Sequence, residues 1–85
     1  MMSLTERFED AQKRLQTLSS RPPNDTLLQL YGLYKQATVG DVQGKRPGML
    51  DLKGRAKFDA WTACKGMIRD QAMQKYVDMV DRLLA

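Results

Sequence analysis

Six lysine and tyrosine side chains are the residues of this 85-residue chain best suited to chemistry at a shared site: Tyr31, Tyr34, Lys35, Lys53, Lys57 and Tyr76. Lysine bonds phosphate as a compact point charge. Tyrosine can stack its ring on a base and hydrogen-bond through its hydroxyl. The set favours a ligand that has phosphates, an aromatic ring and an apolar portion. It does not identify that ligand, because each residue could also be core filler or a snorkelling lysine.

Catalytic groups are scarce in this composition. The chain has no histidine and one cysteine, which excludes Ser-His and Cys-His pairs, an intramolecular disulfide and the usual zinc ligand sets. Cys64 falls beside Trp61 on a predicted inward face, where a cysteine usually serves as a small hydrophobe. The glycine-rich stretch GDVQGKRPG matches neither a Walker loop nor a dinucleotide fingerprint. We therefore expect a binding protein with no metal and no cofactor.

Positive charge is concentrated in one segment. The net charge is +4, and residues 45–69 carry seven bases and two acids, whereas residues 1–44 carry five of each. Such a cluster is either a solvated face or a surface for an anionic partner. The alternative function is therefore a small basic helical module for nucleic acid or anionic membrane surfaces. Binding of that kind would weaken steeply with salt.

Apolar spacing predicts four helices and no strands. Ser3 and Glu6 form an S-x-x-E capping box for the first helix, which we expect to stop at Pro22 and Pro23. The second helix is predicted to begin with Asn24 as its N-cap. The third is predicted over residues 51–66 and the last over residues 67–84.

The second and third helices must position the lysines and tyrosines. Lys53 and Lys57 lie about 40° apart on the third helix, on the same side as Trp61. On the second helix the apolar arc is broad and includes Lys35, and its polar face is assigned to Gln29, Gly32 and Gln36. The connector between these helices is about 12 residues long. Since antiparallel neighbours need only about two to eight residues, we expect a crossover that makes the two helices parallel.

Length and hydropathy indicate a single domain over residues 1–85. No run approaches the ~20 apolar residues of a membrane span, and the N-terminal residues are too polar for a signal sequence. We expect a soluble, cytoplasmic monomer.

The run YGLYKQATVGD, followed by RPGMLDLKGRAKFDAW, resembles the acyl-CoA-binding protein family. The resemblance extends from Phe8 to about Leu84 and includes DQAMQKY in the last helix. It implies an all-α, four-helix bundle of up-down-down-up topology with a long crossover between helices 2 and 3. It also implies reversible binding and intracellular carriage of medium- to long-chain fatty acyl-CoA esters without catalysis, with transient contact to acyl-CoA-using enzymes.

The resemblance also assigns roles to individual residues. Tyr31, Lys35 and Lys57 match contacts to the CoA 3′-phosphate and the nearby nucleotide. Tyr34 and Tyr76 match aromatic contacts to the nucleotide and acyl portions. Two further positions are Lys53, which matches a head-group contact, and Leu27, which is apolar and near the acyl chain.

Two of the departures from the family pattern replace a common lysine. Gln16 stands where many members have a lysine, so one phosphate contact is expected to be lost or neutral. Arg21 replaces another common lysine and keeps its charge.

Overall fold

The computed structural model describes all 85 residues, Met1–Ala85. Its elements are α1 (Leu4–Leu15), α2 (Asn24–Thr38), α3 (Leu52–Thr62) and α4 (Arg69–Leu84). Helix α4 packs on both α1 and α2, and α2 also packs on α3. The predicted all-α, four-helix bundle of up-down-down-up topology is confirmed.

The start of α1 is the one the sequence predicts. The Ser3 hydroxyl accepts a hydrogen bond from the Glu6 N–H at 3.1 Å, and the Glu6 carboxylate accepts one from the Ser3 N–H at 3.0 Å. Its predicted stop at the two prolines is wrong, because α1 already ends at Leu15. Just beyond, the Thr17 hydroxyl donates to the Arg14 carbonyl at 2.6 Å. Such local side-chain bonds compete with helix continuation.

The other helix ends also differ from prediction by a few residues. Asn24 is the first residue of α2 and not its N-cap, which is Pro23 and makes no side-chain cap bond. Helix α3 stops at Thr62 and not at Gly66, since residues 63–66 form turns and Gly66 has a φ of +89°. A φ in that range suits glycine and takes the chain out of the helix. Helix α4 consequently begins at Arg69 and not at residue 67.

The core forms where α4 meets α1 and α2. Its largest members are Phe8, Leu30, Leu33, Met73, Tyr76, Val77 and Val80. Fully or almost fully buried alanines, among them Ala11, Ala37 and Ala72, let the helix backbones approach closely. The polar faces of α1 and α4 remain in solvent, as the spacing of their apolar residues predicts.

The polar face assigned to α2 is wrong at two of its three positions. Gln29 is exposed, but Gly32 and Gln36 are buried. A Cβ atom at Gly32 would lie 2.8 Å from the carbonyl carbon of Ala60, so glycine is what allows α3 to approach. The Gln36 amide donates to Asp41 Oδ1 and to the Met67 carbonyl, both at 2.8 Å. Helix α2 is thus covered on two sides, by α3 and by α4, which accounts for its broad apolar arc.

The connector from residue 39 to residue 51 is fastened to α3 and to the turn that follows α3. The indole Nε1 of Trp61 donates to the Gly40 carbonyl at 2.7 Å. Asp41 accepts from the Gly66 N–H at 2.8 Å, and this bond, followed by the Gln36 amide, lowers the pKa of the Asp41 carboxyl. Arg46 forms two bonds to the Asp59 carboxylate, at 2.9 and 2.7 Å. These contacts hold α3 alongside α2, so the N-terminal halves of both helices face the same groove.

Candidate ligand-binding site

A groove of about 510 Å³ lies between the N-terminal halves of α2 and α3. Four of the predicted site residues line it: Leu27, Tyr31, Lys53 and Lys57. We call it the α2–α3 groove. Its volume is within the range of about 300–1,000 Å³ that is usual for small-molecule sites. Because two helix N-termini converge at this end, their dipoles favour an anionic ligand there.

The three lysines predicted for the site form no ion pair with a carboxylate. The ion pairs of the protein join Arg14 to Asp10 and Asp81, and Arg46 to Asp59, so none involves Lys35, Lys53 or Lys57. A lysine without a carboxylate partner keeps all three of its donors available to a phosphate.

Two of these lysines lie over aromatic rings. Lys57 Nζ is 5.5 Å from the ring centroid of Tyr31, and Lys35 Nζ is 4.9 Å from that of Trp61. Cation–π contact restrains each ammonium group without neutralising it. The two pairs lie one helical turn apart, since Tyr31 and Lys35 are four residues apart on α2.

Tyr34 and Tyr76 occupy a second aromatic cluster around Phe8. The Phe8 ring stacks on Tyr34 with centroids 6.1 Å apart and meets Tyr76 edge-on at 5.0 Å. Tyr34 is partly exposed, whereas Tyr76 is only 5% exposed. Burial, and secondarily the Tyr34 phenol, raise the pKa of Tyr76, so the Tyr76 hydroxyl is a neutral donor at neutral pH.

The predicted residues therefore occupy two adjoining positions. Leu27, Tyr31, Lys53 and Lys57 surround the α2–α3 groove. Lys35 and Tyr34 lie one turn further along α2, and Tyr76 is buried against Phe8, on which Tyr34 also stacks. Because residues three and four apart share a helix face, Tyr31, Tyr34 and Lys35 form a continuous strip that leads out of the groove.

Five further residues line the groove without having been predicted as site residues: Arg21, Asn24, Leu28, Leu52 and Ala56. Arg21 lies just before α2, Asn24 is the first residue of α2, and Leu52 is the first residue of α3. The sequence signal that could have found them is the long crossover itself. It makes α2 and α3 parallel, and parallel helices bring their first turns together.

A second groove, of about 530 Å³, lies between α2, the end of α3 and α4. Its lining includes Leu33, Cys64, Met79, Lys75 and Arg82, but none of the predicted site residues. Cys64 is buried there, and burial raises the pKa of its thiol, which suits the predicted structural role. Volume does not distinguish the two grooves. Lys53, Lys57 and the Tyr31 ring line only the α2–α3 groove, and this combination favours it as the binding site.

Comparison with known proteins identifies the family. The sequence profile described as "Acyl CoA binding protein" matches residues 5–80. The chain is 51% identical to the acyl-CoA-binding protein of Brassica napus, over 98% of this chain and 90% of that protein. It is 49% identical to acyl-CoA-binding protein homolog 1 of Caenorhabditis elegans, over 96% of this chain and 95% of that protein. The crystal structure of Oryza sativa acyl-CoA-binding protein 2 superposes with a TM-score of 0.91 at 46% identity, covering 96% of this chain and 91% of that one. The chain therefore belongs to the acyl-CoA-binding protein family.

Proposed function

We propose that this protein reversibly binds medium- to long-chain acyl-CoA esters, and carries and buffers them in the cell without catalysis. The observation that carries the proposal is the placement of two unpaired lysines, Lys53 and Lys57, and of Tyr31 around a largely apolar groove in a chain of this family. The single domain spans residues 1–85.

The charged part of the ligand is assigned to the lysine side of the groove. Lys57 and Lys35, with Tyr31 between them, contact the 3′-phosphate and the nucleotide, and Lys53 makes a further head-group contact. Their spacing supports this, because Lys57 lies over the Tyr31 ring and Lys35 lies one turn away. Tyr34 extends the aromatic surface available to the nucleotide.

The acyl chain is assigned to the apolar wall of the groove. Leu27 is the predicted chain contact, and Leu28, Leu52 and Ala56 line the same groove. Tyr76 can reach a ligand only through its edge or hydroxyl, since its ring is buried against Phe8.

The proposal extends to the partners and the location of the protein. We propose a cytoplasmic monomer that contacts acyl-CoA-using enzymes transiently. A reducing compartment suits a chain whose one cysteine is a free, buried thiol. None of the four helices is long and apolar enough to cross a lipid bilayer.

Calorimetric titration with CoA, a short-chain acyl-CoA and a long-chain acyl-CoA at fixed salt tests the proposal. A buried methylene contributes ~0.8 kcal/mol, so two added carbons should tighten binding more than tenfold while the chain still fits the groove. Near-equal affinities for CoA and long-chain acyl-CoA would contradict the assignment of the groove. Tighter binding to DNA than to acyl-CoA would favour the basic-module alternative.

A further inference from the structure

The ammonium group of Lys35 is held over the face of the Trp61 indole. Lys35 Nζ lies 4.9 Å from the centroid of that ring. Trp61 is only 8% exposed and lines neither groove, so we expect it to act on a ligand through a neighbouring side chain and not by direct contact. The contact keeps the positive charge of Lys35 and restricts where its flexible stem can place that charge.

Gly40 connects the indole to the backbone of the same lysine. Trp61 Nε1 donates to the Gly40 carbonyl at 2.7 Å, and the Gly40 N–H donates to the Lys35 carbonyl at 3.2 Å. Contacts therefore run from the Lys35 backbone to Gly40, from Gly40 to the indole, and from the indole back to the Lys35 ammonium group. We call these three residues the lysine clamp. Gly40 has a φ of +101°, in the left-handed region that favours glycine.

The lysine clamp bears on binding because an unrestrained lysine loses rotamer freedom when it contacts a ligand. Immobilising one long side chain costs a factor of about two to ten in affinity. A cation that is already restrained over a ring has lost part of that freedom before the ligand arrives. No ion pair involves Lys35, so its donors stay available to a phosphate.

We propose that Trp61, fixed by Gly40, is a positioning residue that presents Lys35 to the 3′-phosphate and so helps the protein to distinguish CoA esters from their 3′-dephospho forms. This inference rests on the proposed function, because it takes Lys35 as a phosphate contact. The contact between Lys57 and Tyr31 differs, since Tyr31 lines the α2–α3 groove and is available to the ligand itself.

Calorimetric titration with a long-chain acyl-CoA and with its 3′-dephospho form tests the positioning role. The Kd of the dephospho form divided by the Kd of the acyl-CoA measures recognition of the 3′-phosphate, and changes that affect the whole ligand equally cancel in this ratio. One test variant is Trp61→Leu, which removes the ring. The other is Gly40→Ala, which strains the lysine clamp and keeps both side chains.

Gly44→Ala is the matched control for Gly40→Ala. Gly44 lies in the same connector, has a φ of +91° and has open space around its Cβ position, as Gly40 does. Its backbone strain is therefore similar, but it forms no hydrogen bond with Lys35 or Trp61. Thermal unfolding checks that each variant is folded, and Gly40→Ala decides the outcome if Trp61→Leu does not fold.

The Kd ratio should fall about twofold to tenfold in Trp61→Leu and in Gly40→Ala, and it should keep its wild-type value in Gly44→Ala. Lys35→Met should lower the ratio at least as much. Adding Trp61→Leu to Lys35→Met should lower it no further, because the ring then has no cation to hold. An unchanged ratio in folded Trp61→Leu or Gly40→Ala, an equal fall in Gly44→Ala, or a further fall in the double variant would overturn the positioning role.

Nuclear magnetic resonance of the ligand-free protein keeps the two proposals separate. The methylene protons next to the Lys35 ammonium group should be shifted upfield by the indole ring in the wild type, and this shift should disappear in Trp61→Leu. A wild type that binds acyl-CoA but shows no such shift would overturn the positioning role alone. A wild type that shows the shift but does not bind acyl-CoA would contradict the proposed function, and with it the assignment of Lys35 to the phosphate.

Discussion

Replacing Lys57 with methionine removes one cation from the α2–α3 groove and keeps a long apolar side chain. Lys57 is exposed and forms no ion pair, and its one specific contact is with the Tyr31 ring at 5.5 Å. An exposed cation–π contact contributes about 0.5–1 kcal/mol. The free energy of unfolding should therefore fall by no more than about that amount.

The effect of Lys57→Met on binding should be larger than its effect on folding. A hydrogen bond to a charged group contributes about 1.5–3 kcal/mol. At about 1.4 kcal/mol per factor of ten, loss of the phosphate contact should raise the Kd for acyl-CoA about tenfold to 150-fold. Isothermal titration calorimetry at fixed salt measures this change, and thermal unfolding confirms that the variant is folded.

Lys65→Met is the matched control, because Lys65 is also an exposed lysine without an ion pair and lines neither groove. It changes net charge by the same amount and should leave the Kd within about twofold, the scale of a screened surface charge. A folded Lys57→Met protein with wild-type affinity would refute the assignment. An equal loss in Lys65→Met would show that overall charge, and not a contact at the groove, governs binding.

Three further perturbations test the fold and the site. Gly32→Ala should lower the Tm by at least about 4 °C, because overpacking against the α3 backbone costs about 1–3 kcal/mol. The control Gly48→Ala should leave the Tm unchanged, since there is open space around its Cβ position. Equal Tm values for the two variants would contradict the close approach of α2 and α3. The pKa of Asp41 is lowered in the folded state, so its contribution to stability is present above its ordinary pKa of 3.8 and is lost as pH falls below that value. Asp41→Asn should accordingly show a smaller fall in Tm between neutral and acidic pH than the wild type does, and an identical fall would exclude this role. Gln16→Lys introduces the cation that the family resemblance implies at this position and should tighten acyl-CoA binding several-fold, up to about tenfold; calorimetry showing no gain would mean that this position does not reach the ligand.

The existence of the helices could be predicted from local sequence, but most of their ends could not. The capping box at Ser3 and Glu6 is a purely local signal, and the start of α1 is confirmed. Where α3 ends depends on Gly66, whose turn is held by a bond from its N–H to Asp41, far along the chain. A periodicity argument contains no such partner and extends the helix too far.

The error on the face of α2 has a similar cause. Gly32 and Gln36 are polar or neutral by type, so a helical wheel assigns them to solvent. The structure buries them because glycine admits the α3 backbone and because the Gln36 amide finds two acceptors. Both reasons are tertiary and cannot be deduced from the sequence of α2 alone.

Several residues of the candidate site could be predicted from the sequence, but the complete lining of the groove could not. The sequence and its family resemblance predict Tyr31, Lys53 and Lys57, which the structure brings to one groove. The placement of Arg21 and Leu52 in that groove depends on the parallel alignment of two helix starts. The length of the crossover predicts the parallel direction of α2 and α3, but how closely their first turns approach is set by packing across Gly32 and by the bonds that anchor the crossover.

A crystal structure of the complex with a long-chain acyl-CoA tests the central claim most directly. We predict the 3′-phosphate within hydrogen-bond distance of Lys57 and the acyl chain along the α2–α3 groove beside Leu27. An acyl chain in the second groove beside Cys64, or a phosphate remote from Lys57, would contradict the account.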